Sequence, residues 1–274
     1  MISALNDPHR RAALAEKARR LRDLHRPGDP LVLVNVWDAA AARVVAAQPG
    51  VAAIATGSWS IAAAHGVADG EQLPLADAIA AIGRVAAAVP LPVTADLEKG
   101  YGEAPEDVAR TVGLLLAAGA VGCNLEDSLG DDEGPLRPVE EQVRRLQAVR
   151  AAAEAVGVPL VLNARTDVLA GGGDVDEAAA RGRAYLEAGA DCVFVLGVAD
   201  LPTVRRLSEE FEGRLSVLAH PAMPSLAELA GAGAARISFG PGPMGAAYAE
   251  LGRVAGQLTG RGAYPDSLRF RPGA

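Results

Sequence analysis

Residues 93–102 read VTADLEKGYG and carry the clearest structural signal in the chain. An apolar run ends there in two carboxylates, Asp96 and Glu98, and a turn with Gly100 and Gly102 follows. Because side chains alternate between the two faces of a strand, we expect both acids to project to the same side. Neighbouring carboxylates resist burial unless a cation lies between them. The segment therefore predicts a strand that ends at a cation-binding site.

Two other apolar runs end in charge in the same way. Residues 120–125 are followed by Glu126, and residues 159–164 are followed by Arg165. Charged residues at the ends of three strands indicate the rim of an active site rather than a solvated surface.

The apolar runs recur along the whole chain and alternate with helix-patterned stretches. The runs cover residues 31–36, 51–55, 91–95, 120–125, 159–164, 191–196, 215–219 and 234–239. The clearest helical stretches cover residues 75–88, 105–118, 138–156, 175–188 and 201–211. Continuous apolar strands that alternate with helices indicate a buried parallel sheet, and eight such units predict an α/β fold of the (β/α)₈ TIM-barrel type. The alternative is a doubly wound open sheet, but residues 35–38 (NVWD) contain no glycine-rich phosphate turn.

The chain shows no low-complexity linker, so we predict one domain over residues 1–274. Residues 1–29 read as a charged helical lead-in, and residues 243–274 read as the last helix and a tail. In a TIM barrel the catalytic groups lie at the carboxyl ends of the strands, which is where the charged residues fall here.

Composition excludes several classes of partner. Half of the 274 residues are hydrophobic, only 4% are aromatic, and the formal net charge is −8. An acidic surface argues against nucleic acid and anionic membranes, but a metal ion can still attract a small anionic substrate. Cys123 and Cys192 lie in apolar runs, where buried free thiols are expected. With no apolar segment of signal-peptide or membrane-span type, we expect a cytoplasmic protein.

Four motifs carry a family resemblance, in the family's order and on the expected strands. They are GVAD at 66–69, DLEKGYG at 96–102, LED at 125–127 and ARTD at 164–167. With them the chain resembles the isocitrate lyase/phosphoenolpyruvate mutase superfamily over nearly its whole length. The resemblance implies a Mg²⁺-dependent barrel that makes or breaks a bond next to a 2-oxo or 2-hydroxy carboxylate, through a metal-bound enolate.

The resemblance also implies a metal site. Asp96 is the expected direct ligand, and the carboxylates expected to hold the metal's water ligands are Asp69, Glu98 and Glu126. Mg²⁺ prefers oxygen ligands and keeps several waters, which suits this set. The rim lacks clustered Cys and His, so Mg²⁺, or Mn²⁺, is expected rather than zinc.

The substrate site follows from the same motifs. Arg165 is expected to bind the substrate's oxygens beside Asp96, with Glu126 and Lys99 as further catalytic candidates. The backbone clasp for the substrate carboxylate falls on Gly57, Ser58 and Trp59. Structural explanations compete: Arg165 could serve only to neutralise neighbouring acids, and Lys99 could be a surface lysine.

The chain departs from the family pattern at the loop of residues 128–137, SLGDDEGPLR, which contains no Cys, Lys or His. The cysteine-bearing loop of isocitrate lyases is absent, so we expect no isocitrate cleavage. The gating lysine and the Asn-Ser pair of the mutase are absent too, so we do not expect a standard mutase. The alternatives are mutase-type or oxaloacetate decarboxylase or hydrolase activity, or a catalytically silent barrel that binds a carboxylate. The glycines, proline and acids of the loop predict a mobile flap whose only cation, Arg137, closes on the substrate.

The resemblance further implies a homo-oligomer, most specifically a tetramer, in which the last helix is exchanged between paired barrels. Residues 240–243 (GPGP) make a stiff exit from the eighth strand, and residues 244–258 read as an apolar-striped helix. Such a helix needs a neighbouring subunit to cover it.

Overall fold

Parallel strands form one sheet, and the strands at its two edges follow one another directly in the chain. The computed structural model describes residues 2–130 and 134–269. The strands of these residues are β1 (Leu31–Leu33), β2 (Asn35–Val36), β3 (Ile54–Thr56), β4 (Val93–Asp96), β5 (Gly122–Glu126), β6 (Val161–Thr166), β7 (Cys192–Val195), β8 (Leu215–Leu218) and β9 (Arg236–Ser238). Their order in the sheet is β1-β9-β8-β7-β6-β5-β4-β3-β2, and every pair of neighbours is parallel.

The sheet closes into a barrel because the first strand is shared between two partners. Leu31 pairs with Arg236 of β9, whereas Asn35 pairs with Ala55 of β3. Only Val34 separates the two halves of this strand. The predicted TIM barrel is confirmed, and the predicted first strand over residues 31–36 is divided because each half follows a different neighbour.

Helices alternate with the strands around the barrel. They are α1 (Pro8–Asp23), α2 (Ala39–Ala46), α3 (Ser58–Ala64), α4 (Leu75–Ala88), α5 (Pro105–Ala118), α6 (Val139–Val156), α7 (Val175–Glu187), α8 (Leu201–Glu210), α9 (Leu226–Gly231) and α10 (Gly242–Thr259), with 3₁₀ turns at Ile2–Asn6 and Asp266–Leu268. Local signals fix several ends. The Asp174 carboxylate caps α7 by accepting from the Glu177 amide at 2.8 Å. Gly119 ends α5 with a φ of 105°, the left-handed conformation that glycine adopts most easily.

The core is aliphatic and lies between the sheet and the helices. Leu33, Ile54 and Leu125 are fully buried, as expected for strands covered by helices. Cys123 and Cys192 are buried free thiols, and burial raises the pKa of each to about 12. No helix in the described ranges combines the length and the apolar character that crossing a membrane requires.

Candidate functional site

A cavity of about 310 Å³ opens at the carboxyl ends of the strands. All of the predicted site residues line it: Gly57, Ser58, Trp59, Asp69, Asp96, Glu98, Lys99, Glu126 and Arg165. Residues separated by more than a hundred positions in the chain therefore meet at one end of the barrel, as the strand-end argument predicts. Their individual roles stay predictions.

Asp96 and Glu98 reach this cavity by different routes. Asp96 is the last residue of β4, and its Oδ2 accepts a hydrogen bond from the Ser58 hydroxyl at 3.1 Å. Glu98 lies beyond the strand with a φ of 50°, so strand alternation does not place its side chain. Its amide instead donates to Oδ1 of Asp96 at 3.2 Å, and the turn returns the side chain to the cavity.

The Glu98 carboxylate is buried in a strained turn. It accepts hydrogen bonds from the Glu71 amide at 2.5 Å and from the Tyr101 hydroxyl at 3.2 Å. Glu71, Glu98 and Tyr101 all have positive φ, which costs energy for residues with a side chain and is concentrated at functional sites. Burial, followed by the nearby charges of Asp69 and Asp96, raises the pKa of Glu98 to about 7. This carboxylate is therefore poised to hold a proton when no cation is near.

Asp69 belongs to the same group of acids. Burial raises its pKa, the charge of Asp96 raises it further, and a hydrogen bond with Ser58 opposes the shift. Carboxylates whose pKa is raised by neighbouring acids have too little positive charge around them, and a bound cation would relieve that shortage.

Arg165 of β6 is a fixed cation in the wall of the same cavity. Its Nε and Nη2 donate to the two oxygens of Asp167 at 2.6 and 2.9 Å, and its Nη1 lies 3.0 Å from Oε2 of Glu126. The guanidinium also lies over the Phe194 ring, 5.8 Å from its centroid. Burial alone would lower its pKa, but Glu126 and Asp167 outweigh burial and raise it. Arg165 thus neutralises both acids and lines the cavity at the same time.

Glu126 has a second hydrogen bond, from the Ser128 hydroxyl to Oε1 at 2.8 Å. Burial raises its pKa well above the usual range, although the charge of Arg165 opposes the shift. Glu126 is therefore a further carboxyl group of the cavity that can exchange a proton near neutral pH.

Lys99 and Trp59 lie at the rim of the cavity. Lys99 is half-buried in the cavity wall, and its Nζ donates to the Gly130 carbonyl at 3.3 Å, so it is not a solvated surface lysine. Trp59 lines the mouth of the cavity and is 49% exposed, so it does not pack in the core. Trp37 packs edge-to-face on Tyr248, with centroids 6.0 Å apart, and is not part of this cavity wall.

The flap prediction is modified by the structure. Ser128 and Leu136 form an antiparallel bridge that anchors the two ends of the loop, and residues 131–133 lie outside the described residues. Arg137 is buried and pairs with Glu103 at 2.7 Å, away from the cavity lining. Arg137 therefore does not line the cavity in this structure, and its closing on the substrate stays a prediction.

Sequence reasoning missed several residues of the cavity wall, above all Asn35 and Asn124. Oδ1 of Asn35 accepts from the amides of Phe239 and Gly240 at 2.9 and 3.0 Å, which ties β2 to the end of β9. Both asparagines sit inside apolar strand runs. A polar residue at an inward position of such a run is the signal that would have found them.

Comparison with known proteins identifies relatives along most of the chain. A family model described as phosphoenolpyruvate phosphomutase matches residues 21–259. The 2-methylisocitrate lyase of Escherichia coli (strain K12) is 33% identical over 201 residues, which cover 68% of this chain and 67% of that enzyme. A crystal structure from Burkholderia cenocepacia J2315 that bears a phosphonomutase name is 47% identical, with a TM-score of 0.84, and the match covers 89% of this chain and 99% of that one. A crystal structure of 2,3-dimethylmalate lyase is 30% identical, with a TM-score of 0.82, and the match covers 95% and 92% of the two chains.

Proposed function

The chain belongs to the phosphoenolpyruvate phosphomutase family, within the isocitrate lyase/phosphoenolpyruvate mutase superfamily, and from this membership we propose that it is a Mg²⁺-dependent carbon–carbon lyase. Its substrate is a small 2-oxo or 2-hydroxy carboxylic acid, and cleavage leaves an enolate. One observation carries the proposal: four carboxylates share a cavity with a buried arginine that already pairs with one of them.

The donors of the cavity fit a hard cation held mainly through water. In residues 2–130 and 134–269, no three of the His, Cys, Asp and Glu side chains come together as a direct ligand set. A site with Asp96 as direct ligand, and with Asp69, Glu98 and Glu126 bonded to metal waters, agrees with this finding. Burial first, and then the charges of neighbouring acids, raise the pKa of Asp69 and of Glu98, and this favours a cation at this place. When bound, the ion would supply positive charge that stabilises negative charge developing on the substrate.

The protein's own groups bind and orient the acid. Arg165 supplies a fixed cation to the substrate's oxygens, held in place by Asp167 and the Phe194 ring. The Gly57 amide donates to the Val36 carbonyl at 3.3 Å, so the backbone clasp rests on the amides of Ser58 and Trp59 at the start of α3. Lys99 is the first candidate for the proton donor. The acids Glu98 and Glu126 can also exchange protons near neutral pH.

The test is a panel of oxaloacetate, malate-type and citrate-type acids, assayed for pyruvate and other oxo-acid products with Mg²⁺ or with EDTA. Turnover that EDTA abolishes supports the proposal, and products identify lyase, decarboxylase or mutase chemistry. Isocitrate should be a poor substrate, because the loop of residues 128–137 lacks the cysteine of isocitrate lyases. Binding without turnover of any acid would favour the silent barrel instead.

We propose that the protein is a tetramer in which α10 is exchanged between paired barrels. Only Met244 and Val254 of α10 are buried, whereas Tyr248, Leu251 and Leu258 are 49%, 63% and 37% exposed. A helix with so much exposed apolar surface is typical of an interface. Leu251→Glu should dissociate the assembly in light scattering, whereas Val44→Glu on the exposed face of α2 should not. A wild-type monomer at micromolar concentration contradicts the proposal.

A cytoplasmic location and a single domain over residues 1–274 stay predictions. Cell fractionation checks the first, and limited proteolysis that leaves one resistant core checks the second.

A further inference from the structure

A buried arginine lies beneath the cavity without a carboxylate partner. Arg236 of β9 is 2% exposed, and none of the described acids forms an ion pair with it. Its Nη2 donates to Oδ1 of Asn124 at 3.1 Å, while Nε and Nη1 have no hydrogen-bond partner. Burial lowers the pKa of Arg236 to about 10, against the opposing effect of Cys192 and Asp96. A buried, poorly satisfied cation is costly, so a role for it is expected.

The arginine fixes the orientation of Asn124. A guanidinium has donors and no acceptor, so the Asn124 atom that faces it must be the amide oxygen. Nδ2 of Asn163 donates to the same oxygen at 2.8 Å and lies 3.5 Å from the Ser216 hydroxyl. Oδ1 of Asn124 thus accepts from two donors. A flipped amide would place its own N–H groups against those two donors, so this orientation is fixed.

The amide nitrogen of Asn124 is therefore left to face elsewhere. It donates to no residue in the described ranges, and the side chain lines the cavity together with Asp96 and Arg165. Asn124 is also the direct neighbour of Asp96 in the pairing of β4 with β5. A cation hydrogen-bonded to the amide oxygen polarises the group and strengthens its N–H as a donor.

We propose that Asn124 is a substrate-binding residue whose Nδ2 donates to an oxygen of the carboxylic acid substrate, with Arg236 and Asn163 as positioning residues. The proposal rests on the proposed function, because it needs an anionic oxygen substrate in this cavity. A fixed donor acts most strongly where negative charge develops, since it does not have to reorient during the reaction. The arrangement selects acids with an oxygen acceptor at this position and disfavours those with an alkyl group there.

The experiment measures binding of oxalate in the presence of Mg²⁺ by calorimetry, together with thermal unfolding. Oxalate presents adjacent oxygens on a two-carbon frame, as the enolate of a 2-oxo acid does. The variants are Asn124→Leu, Arg236→Met and the double variant. Asn124→Leu removes the donor but leaves Arg236 buried without its partner, so its melting temperature should fall. Replacing both partners with apolar side chains should restore much of the stability.

We expect the double variant to bind oxalate at least ~30-fold more weakly than wild type despite its recovered stability, in line with the loss of one strengthened hydrogen bond. Arg236→Met keeps the Asn124 donor but no longer fixes the orientation of its amide, so the loss of oxalate affinity should be smaller than in the double variant. If the double variant binds oxalate with the affinity of the wild type, Asn124 and Arg236 have only a structural role in the barrel interior. That result would overturn this proposal and leave the proposed function standing. A wild-type protein that binds no small carboxylate would contradict both this proposal and the proposed function.

Discussion

The two ends of the barrel use the same charged residue types in opposite ways. At the amino ends of the strands, Asp191 lies between Arg22 and Arg150, each 2.7 Å from one of its oxygens. The Leu162 amide donates to the same carboxylate at 2.8 Å. This acid is fully partnered, and it joins α1, α6 and β6 to the start of β7.

At the carboxyl ends the charges do not balance. Asp69, Asp96, Glu98 and Glu126 share the cavity, and the buried cation Arg165 is divided between Glu126 and Asp167. Burial, followed by the charges of Asp69 and Asp96, raises the pKa of Glu98 to about 7. Charge at a strand end therefore does not itself mark a functional site; a shortage of counter-charge does.

The largest expected effect is on kcat, which should depend on arginine at the carboxyl end of the barrel and not at the amino end. Arg165→Ala should lower kcat by a hundredfold or more, because a donor to developing charge is typically worth about 2.7–4 kcal/mol in the transition state. Steady-state kinetics on the best acid of the panel measures this. Arg22→Ala, at the other end of the barrel, is the control and should leave kcat unchanged. Equal losses in both variants would mean that Arg165 acts only through the fold.

The next effect appears in stability. Asp191→Ala leaves two arginines without their carboxylate and should lower the free energy of unfolding by on the order of 2–3 kcal/mol, since hydrogen bonds to charged groups are worth about 1.5–3 kcal/mol. Urea denaturation checks this value. Activity per folded molecule should not change. A loss of turnover at unchanged stability would show that the amino end of the barrel takes part in function.

A smaller effect concerns pH and metal. The pKa of Glu98 is raised from 4.5 to about 7 in the folded protein, so its contribution to stability is present below about 4.5 and is lost as the pH rises through 7. Mg²⁺ competes with that proton, so its stabilising effect should grow with pH. At a concentration of 100 times its Kd, Mg²⁺ should raise the melting temperature at pH 8 by on the order of 5 °C, and by less at pH 5.5. Glu98→Gln should reduce the difference between the Mg²⁺-induced rises in melting temperature at pH 8 and at pH 5.5. An equal rise in melting temperature at both pH values would contradict the claim that Mg²⁺ competes with the proton of Glu98.

Much of the barrel could be predicted because its signals are local. The apolar spacing of residues 75–88 and 105–118 gave helices with the bounds observed for α4 and α5. Asp96 and Glu126 were found for the same reason, since each follows an apolar run directly. Whether these acids bind a metal stays a prediction.

What the sequence could not show depends on contacts between distant elements. The split at Val34 depends on β1 and β2 having different neighbours. The ion pair of Arg137 depends on Glu103, which lies 34 positions earlier in the chain. Asn124 gains its meaning only from Arg236, 112 positions later. None of these pairings leaves a periodic trace in the sequence.

The most direct test of the cation site is a calorimetric titration of Mg²⁺ into the wild type, Asp96→Ala and Asp191→Ala. We predict that the wild type and Asp191→Ala bind Mg²⁺ with similar affinity, whereas Asp96→Ala shows no measurable binding. Circular dichroism confirms that each variant is folded at the temperature used. Unchanged Mg²⁺ affinity in Asp96→Ala would contradict the claim that the unbalanced acids at the carboxyl ends of the barrel are a cation site.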